Sequence, residues 1–423
     1  QWARRWYHVR VAEAGDWGRC ARLMVGQGIA LCLGGGGARG NVHFGVIRSM
    51  QALGIPIDAV SGTSFGALAG GMYAMTAPKP GALARMVERV MGSSFSTRKM
   101  LMDINFPRTS YFSGAFLNRV LQDTFARRRC EDMLVPFVCT STDILNFEAK
   151  SHREGQLWRI VRASMSLVGF VPPLPHLEKR SQDGHAQVCS SLLVDGGYTN
   201  QYPSEQLRQL GAGVIICVQA CPDFEPVSTE YGDWVYGGAI ALLRLLRIRW
   251  GWFKGPDPPA QAEIQERLMF LPDAMRGGQG AGDSDILIRP PIDGFGLLEF
   301  SSYRQLEQIG YDTARPQLEA WLRGSSTDAQ HVRAVIQASS SEDANFAHAK
   351  TLGMSSKGLH LLRKGRAQPM QQATNKDARW NNTVVDCCCC CCCGLLFPSC
   401  FLVLCGCSLY RSLFHRAWPN PGR

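Results

Sequence analysis

PIDAVSGTSFGALAGGM, Pro56 to Met72, is the stretch whose reading decides the fold. Ile57 to Val60 is a short, mostly apolar run of the kind that forms a buried strand. Ser61 to Gly66 follows without a break, and Ala67 to Met75 is rich in Ala, Leu and Met, which favour a helix. Strand, G-x-S-x-G turn and helix in that order are the context of a nucleophile elbow. Ser64 then sits at the tip of a sharp turn. Gly62 and Gly66 flank it because a Cβ at either position would strike the neighbouring strand or helix. The helix start behind Ser64 favours developing negative charge. On these residues alone, a Gly/Ser-rich loop without chemistry reads as well.

Upstream, Gly28 to Leu33 (GIALCL) predicts a buried strand, and it runs into Gly34-Gly35-Gly36-Gly37-Ala38-Arg39-Gly40. Val42, Val46, Ile47, Met50 and Leu53 recur at helical spacing after it. Glycines between a strand and a helix suit three uses. Gly35, Gly37 and Gly40 match the dinucleotide pattern G-x-G-x-x-G, with Asp58 as the rival ribose ligand. A phosphate loop requires Gly-Lys-Ser/Thr, which does not follow. An oxyanion hole built from consecutive backbone N–H groups is the third use. It is favoured because the next strand leads into Ser64.

Composition narrows the class. With 423 residues, 45% hydrophobic and 19% charged, the chain can bury a sizeable core. A net charge of +10 favours anionic surfaces, but the Lys and Arg are scattered and not interleaved with aromatics, which argues against nucleic acid. Of the 17 cysteines, seven form the run Cys387 to Cys393 and three more are Cys400, Cys405 and Cys407. The others lie mostly in apolar runs without metal-ligand spacing, so a reducing compartment and no structural metal are expected. QWARRWYHVR has no apolar core of a signal peptide and no initiator Met, which reads as a piece of something longer.

The glycine run and the elbow together resemble the patatin-like phospholipase family. That family adds an Asp-Gly-Gly motif, and Leu192-Leu193-Val194-Asp195-Gly196-Gly197 supplies it. GGGGARG, GIPIDAVSGTS, LWRIVRASMSL, VDGGYTNQYP and PPIDGFGLLEF tighten the resemblance to the neuropathy target esterase branch, over roughly residues 21 to 322. The resemblance implies a three-layer α/β/α fold with a mostly parallel central sheet. It implies Ser64 as nucleophile and Asp195 as proton acceptor, supported by Gly62, Gly66, Gly196 and Gly197. It further implies Gly35, Gly36, Gly37, Arg39 and Gly40 as the oxyanion loop, with Arg39 binding phosphate or bracing the loop, or else only forming a structural salt bridge. The implied substrate is a phospholipid or lysophospholipid at a membrane surface, with no metal and no organic cofactor. The implied place is intracellular, at the cytosolic face of the endoplasmic reticulum.

Histidine placement agrees with a dyad. After Asp195 the histidines are only His331, His348, His360 and His415, all in the compositionally weak tail, and His43 reads as a packing residue. Two other classes stay in view. A dinucleotide oxidoreductase leaves Ser64 and Asp195 without a role. A catalytically inactive membrane-binding module draws on Phe65, where a smaller aliphatic residue is expected, and on His176 to Ser190, a polar insertion that could distort the site.

The remaining chain divides as follows. Residues 1–27 are a lead-in, 28–323 the patatin-like domain, 324–386 a disordered linker and 387–423 a Cys-rich hydrophobic tail. Phe95 to Phe112 is expected to border a lipid-binding cleft. Val171 to Pro175 predicts a loop, Phe224 to Gly255 a membrane-interface or core segment, and Gly277 to Gly282 a loop. Cys387 to Tyr410 has 24 residues without a charge, which fits a membrane anchor or a translated simple repeat without function.

Overall fold

The computed structural model describes residues 6–340 and 384–388, except 11–12, 78, 80, 96, 107, 183–184, 222–258, 260 and 276–283. The expectations for 224–255, 277–282, the chain beyond 340 up to 383 and the tail beyond Cys388 lie outside the described residues.

Two compact units divide the chain, one of residues 1–18 with 337–423 and one of residues 19–336. In the first, β1 (Trp6–Arg10) pairs antiparallel with β10 (Val384–Cys388). The second holds the sheet that positions the site.

Its strands are β2 (Gly28–Leu33), β3 (Ala59–Thr63), β4 (Phe137–Asp143), β5 (Glu148–His152), β6 (Leu174–Gln182), β7 (His185–Asp195), β8 (Ala212–Val218) and β9 (Ile286–Ile288). The order across the sheet is β6-β7-β4-β3-β2-β8-β9, with β5 paired to β4. The five strands β4-β3-β2-β8-β9 run parallel, and β5 and β7 join β4 antiparallel. β2, β3 and β4 are buried at every residue, as parallel strands covered on both faces require.

The helices that shape the unit are α1 (Ala14–Met24), α2 (Val42–Ala52), α3 (Phe65–Thr76), α4 (Ala82–Arg89), α5 (Thr97–Leu101), α6 (Ala115–Phe125), α7 (Leu157–Ser164), α8 (Ser204–Leu210), α9 (Gln261–Met275), α10 (Tyr303–Arg323) and α11 (Thr327–Ser340). α3 is buried from Phe65 through Ala74, which is why its sequence is apolar on every side. It packs on β2, β3 and β4, α7 packs on β4 and β7, and α8 on β8. α2 packs along α10. This is the α/β fold that the three motifs predict.

Two stretches differ from expectation. Leu174 and Pro175, expected in a loop, and the polar stretch from His176 to Ser190 form strands of a hairpin, in register from Leu174↔Leu193 to Gln182↔His185. β6 is an edge strand, where Pro175 costs no ladder bond that the sheet needs and polar residues are tolerated. The hairpin therefore delivers Asp195 instead of disturbing it. Downstream of Gly324, where a linker is expected, α11 forms because Ala329, Val332 and Val335 fall on one buried face.

Asp58, the rival ribose ligand, is occupied within the core. Its carboxylate accepts Arg22 Nε at 2.7 Å, Arg22 Nη2 at 2.5 Å and the Ile29 N–H at 2.9 Å, all buried. Arg22 belongs to the expected lead-in, so α1 is tied to the sheet by a desolvated bidentate pair. Arg22→Ala leaves that carboxylate uncompensated and is expected to cost about 3 kcal/mol or more of stability, read as a lower urea midpoint.

Candidate active site

Strand register brings the two key side chains together. Thr63 at the end of β3 lies opposite Thr140 of β4, and Ser141, the next residue of β4, lies opposite Asp195 of β7. Ser64 follows Thr63 and Asp195 ends β7, so β4 carries the two across one strand width. The Thr63 and Thr140 hydroxyls are 2.7 Å apart and lie 2.9 and 3.2 Å from the Asn200 carbonyl, which accepts from the one that does not donate to its neighbour. This fixes the strand ends on either side of the site.

Ser64 has φ 54° and ψ −122°, a conformation that a side chain-bearing residue adopts only under constraint. The constraint is visible. A Cβ on Gly62 would strike the Gly66 carbonyl, and one on Gly66 would strike the Leu33 carbonyl. Both glycines of the G-x-S-x-G pattern are thus sterically required. Ser64 Oγ donates to Asp195 Oδ2 at 2.6 Å, and the Ser64 N–H donates to Ser164 Oγ at 2.8 Å.

Asp195 is fully buried. Its Oδ1 accepts the Gly197 N–H at 2.9 Å, its own N–H donates to the Ser166 carbonyl at 3.0 Å, and its carbonyl accepts Thr142 Oγ1 at 2.9 Å. Burial pushes its pKa up to about 7, against the opposing pull of the bonds from Ser64 and Gly197. A carboxylate with that pKa can both take and return a proton near neutrality. Gly196 is held to glycine by the Thr140 carbonyl beside it.

The glycine run lies against the serine. A Cβ on Gly35 would come within 3.0 Å of Ser64 Cβ, and Gly37 lines the same cavity as Ser64. Among the described residues, the N–H groups of Gly35, Gly36 and Gly37 donate to no backbone carbonyl. Gln201 Nε2 donates to the Gly35 carbonyl at 3.0 Å and steadies the loop. Arg39 and Gly40, grouped with this loop from the sequence, are placed differently. Arg39 is buried and forms an ion pair with Glu266 of α9, while its Nε donates to the Gly36 carbonyl at 3.4 Å, so it braces the loop. Gly40 makes room for the Phe65 ring, and that space is why Phe65 fits behind Ser64.

Among the described residues, His43, His152 and His331 are engaged elsewhere. His43 is buried with Nε2 2.8 Å from the Gly34 carbonyl, and burial lowers its pKa to about 4. His152 Nε2 is 2.6 Å from Ser141 Oγ, and His331 Nε2 is 2.9 Å from the Gln27 carbonyl.

From Ser64 a cavity of about 100 Å³ runs between apolar side chains, among them Phe95, Phe112, Phe116, Phe170 and Phe300. Phe95 stacks on Phe300 at 4.6 Å between centroids and meets Phe116 edge-on at 6.1 Å. Phe95, Met100 and Phe112 come from the segment expected to border a lipid cleft. Ser164, Ser166, Gln201 and Glu266 escaped sequence reasoning. Ser164 and Ser166 lie in the RASMS part of a quoted motif, the only signal that could have pointed to them.

Ser64, at a sharp strand-to-helix turn, is thus hydrogen-bonded to a buried aspartate and borders an apolar cavity. Residues 31–208 match the family model described as "Patatin-like phospholipase", and the chain carries a patatin-like phospholipase domain. It is 35% identical over 318 residues to patatin-like phospholipase domain-containing protein 6 of Homo sapiens, covering 75% of this chain and 22% of that protein. It is 36% identical over 317 residues to patatin-like phospholipase domain-containing protein 7 of Mus musculus, covering 73% and 22%. Lysophospholipase NTE1 of Coccidioides immitis is 35% identical over 308 residues, covering 72% and 18%. The chain thus spans about a fifth of the length of these curated relatives.

Proposed function

We propose that this chain is a serine lipid hydrolase that cleaves the carboxylic ester of a lysophospholipid or phospholipid. The observation that carries the reading is the 2.6 Å hydrogen bond from Ser64 Oγ to Asp195 Oδ2 at the end of an apolar cavity. Ser64 Oγ attacks the ester carbonyl as Asp195 takes its proton. The amides of Gly35, Gly36 and Gly37 hold the oxyanion. Asp195 returns the proton to the leaving alcohol, the acyl chain rests among the phenylalanines, and water then frees the fatty acid from Ser64. The relatives named lysophospholipase support the substrate class. The family resemblance supports work at an intracellular membrane, which we place at the cytosolic face of the endoplasmic reticulum. Among the described residues no helix is long and apolar enough to cross a membrane.

The test is release of fatty acid from lysophosphatidylcholine by the full chain. Hydrolysis supports the reading, and a folded chain that releases none contradicts it.

Ser164 acts through Ser64 in this scheme. It is a positioning residue whose hydroxyl accepts the amide at the strained turn. Ser164→Ala is expected to lower kcat about tenfold or more with KM little changed, since it shifts the nucleophile and not the acyl slot. A change confined to KM would contradict the assignment.

A further inference from the structure

The rim of the acyl cavity displays apolar side chains to solvent. Met102 is 79% exposed and Phe106 83% exposed, with Leu101 and Ile104 both more than half exposed beside them. Monomeric proteins seldom display so many large apolar groups in one stretch without a use. These residues alternate with lining ones: Met100, Asp103 and Phe112 of the same segment face the cavity that holds Ser64.

A hydrogen-bonded frame holds the display. The Asn105 N–H donates to the Tyr111 carbonyl at 2.8 Å, the Tyr111 N–H to the Gly169 carbonyl at 2.8 Å and the Phe112 N–H to the Phe170 carbonyl at 3.0 Å. The segment is thereby fastened to the far wall of the cavity. Its charges are one-sided. Arg98, Lys99 and Arg108 are exposed, and the one acid between Thr97 and Phe112, Asp103, is turned in to accept from the Ser113 hydroxyl and from the Gly114 N–H at 3.0 Å.

We propose that this segment is the membrane-docking surface, with Met102, Ile104 and Phe106 inserted among acyl chains and Arg98, Lys99 and Arg108 on anionic headgroups. Exposed apolar groups flanked in sequence by cations match the interface of an anionic leaflet, where each buried side chain and each cation adds affinity. Docking here places the cavity mouth on the bilayer, so an acyl chain passes to Ser64 without crossing water. The inference rests on the lipid-hydrolase reading for its purpose and on exposure and charge for its location.

The test is cosedimentation of the full chain with phosphatidylcholine vesicles, with and without phosphatidylserine, beside hydrolysis of the soluble ester p-nitrophenyl butyrate. The native chain is expected to bind the anionic vesicles more tightly. Met102→Ser/Phe106→Ser is expected to weaken vesicle binding about tenfold or more while leaving the soluble-ester rate unchanged. Arg98→Glu/Lys99→Glu is expected to abolish the preference for phosphatidylserine. Equal binding of the native chain to both vesicle types, or undiminished binding of the apolar double variant, overturns the proposal. A chain that binds as expected yet hydrolyses no ester sinks the hydrolase reading and leaves the docking surface standing. Ester hydrolysis without vesicle binding does the reverse.

Discussion

Ser64→Ala is expected to lower lysophosphatidylcholine hydrolysis by about a thousandfold or more, because removal of an attacking oxygen leaves only binding and the oxyanion site. The fold is expected to survive. Ala meets the same φ of 54° that Ser already tolerates, and Gly62 and Gly66, which permit the turn, are untouched. Loss of the Ser64 bond also removes one of the two contacts that favour the charged form of Asp195, so that carboxyl should titrate still higher in the variant. The measurement is fatty-acid release beside circular dichroism. Residual activity within tenfold of the native chain, with the fold intact, would assign the chemistry to another residue.

Asp195→Asn is expected to lose activity to a similar extent and, above neutral pH, to gain stability. The amide can keep the bond from Gly197 through Oδ1 and donate to Ser64 Oγ, but it cannot take a proton. The sign follows from the raised pKa. An unfolded Asp ionises near 4, and the folded one near 7 because burial disfavours its charge. The native chain therefore holds its full stability from this site below pH 4 and loses it progressively as pH rises through 7. Asn escapes that loss. Melting of the variant should match the native chain at acid pH and exceed it at pH 8, while native kcat/KM should rise with pH through about 7. A variant less stable than the native chain at pH 8 would contradict the buried-charge account.

Much of the candidate site is legible in the sequence, for a steric reason. Gly62, Gly66 and Gly196 each face a backbone carbonyl where no Cβ fits, so the motif spacing carries the turn geometry within a few residues. The same holds for the strands that deliver Ser64, since a parallel core strand is a continuous apolar run. The braces were not legible. Ser164 reaches the Ser64 amide across 100 residues, and Arg39 meets Glu266 across 227, so no local pattern marks either contact. The hairpin ending at Asp195 was hidden because an edge strand tolerates Pro175 and polar residues that a central strand would exclude. α11 was hidden because Ser and Gln crowd the exposed face of a helix whose buried face is only Ala329, Val332 and Val335.

The central claim is that Ser64, activated by Asp195, is the nucleophile. Its most direct test is mass-spectrometric mapping of the adduct after reaction of the native chain with a fluorophosphonate. The account predicts one adduct, on Ser64, absent from Asp195→Asn. No adduct, an adduct on another serine, or equal labelling of Asp195→Asn would contradict it.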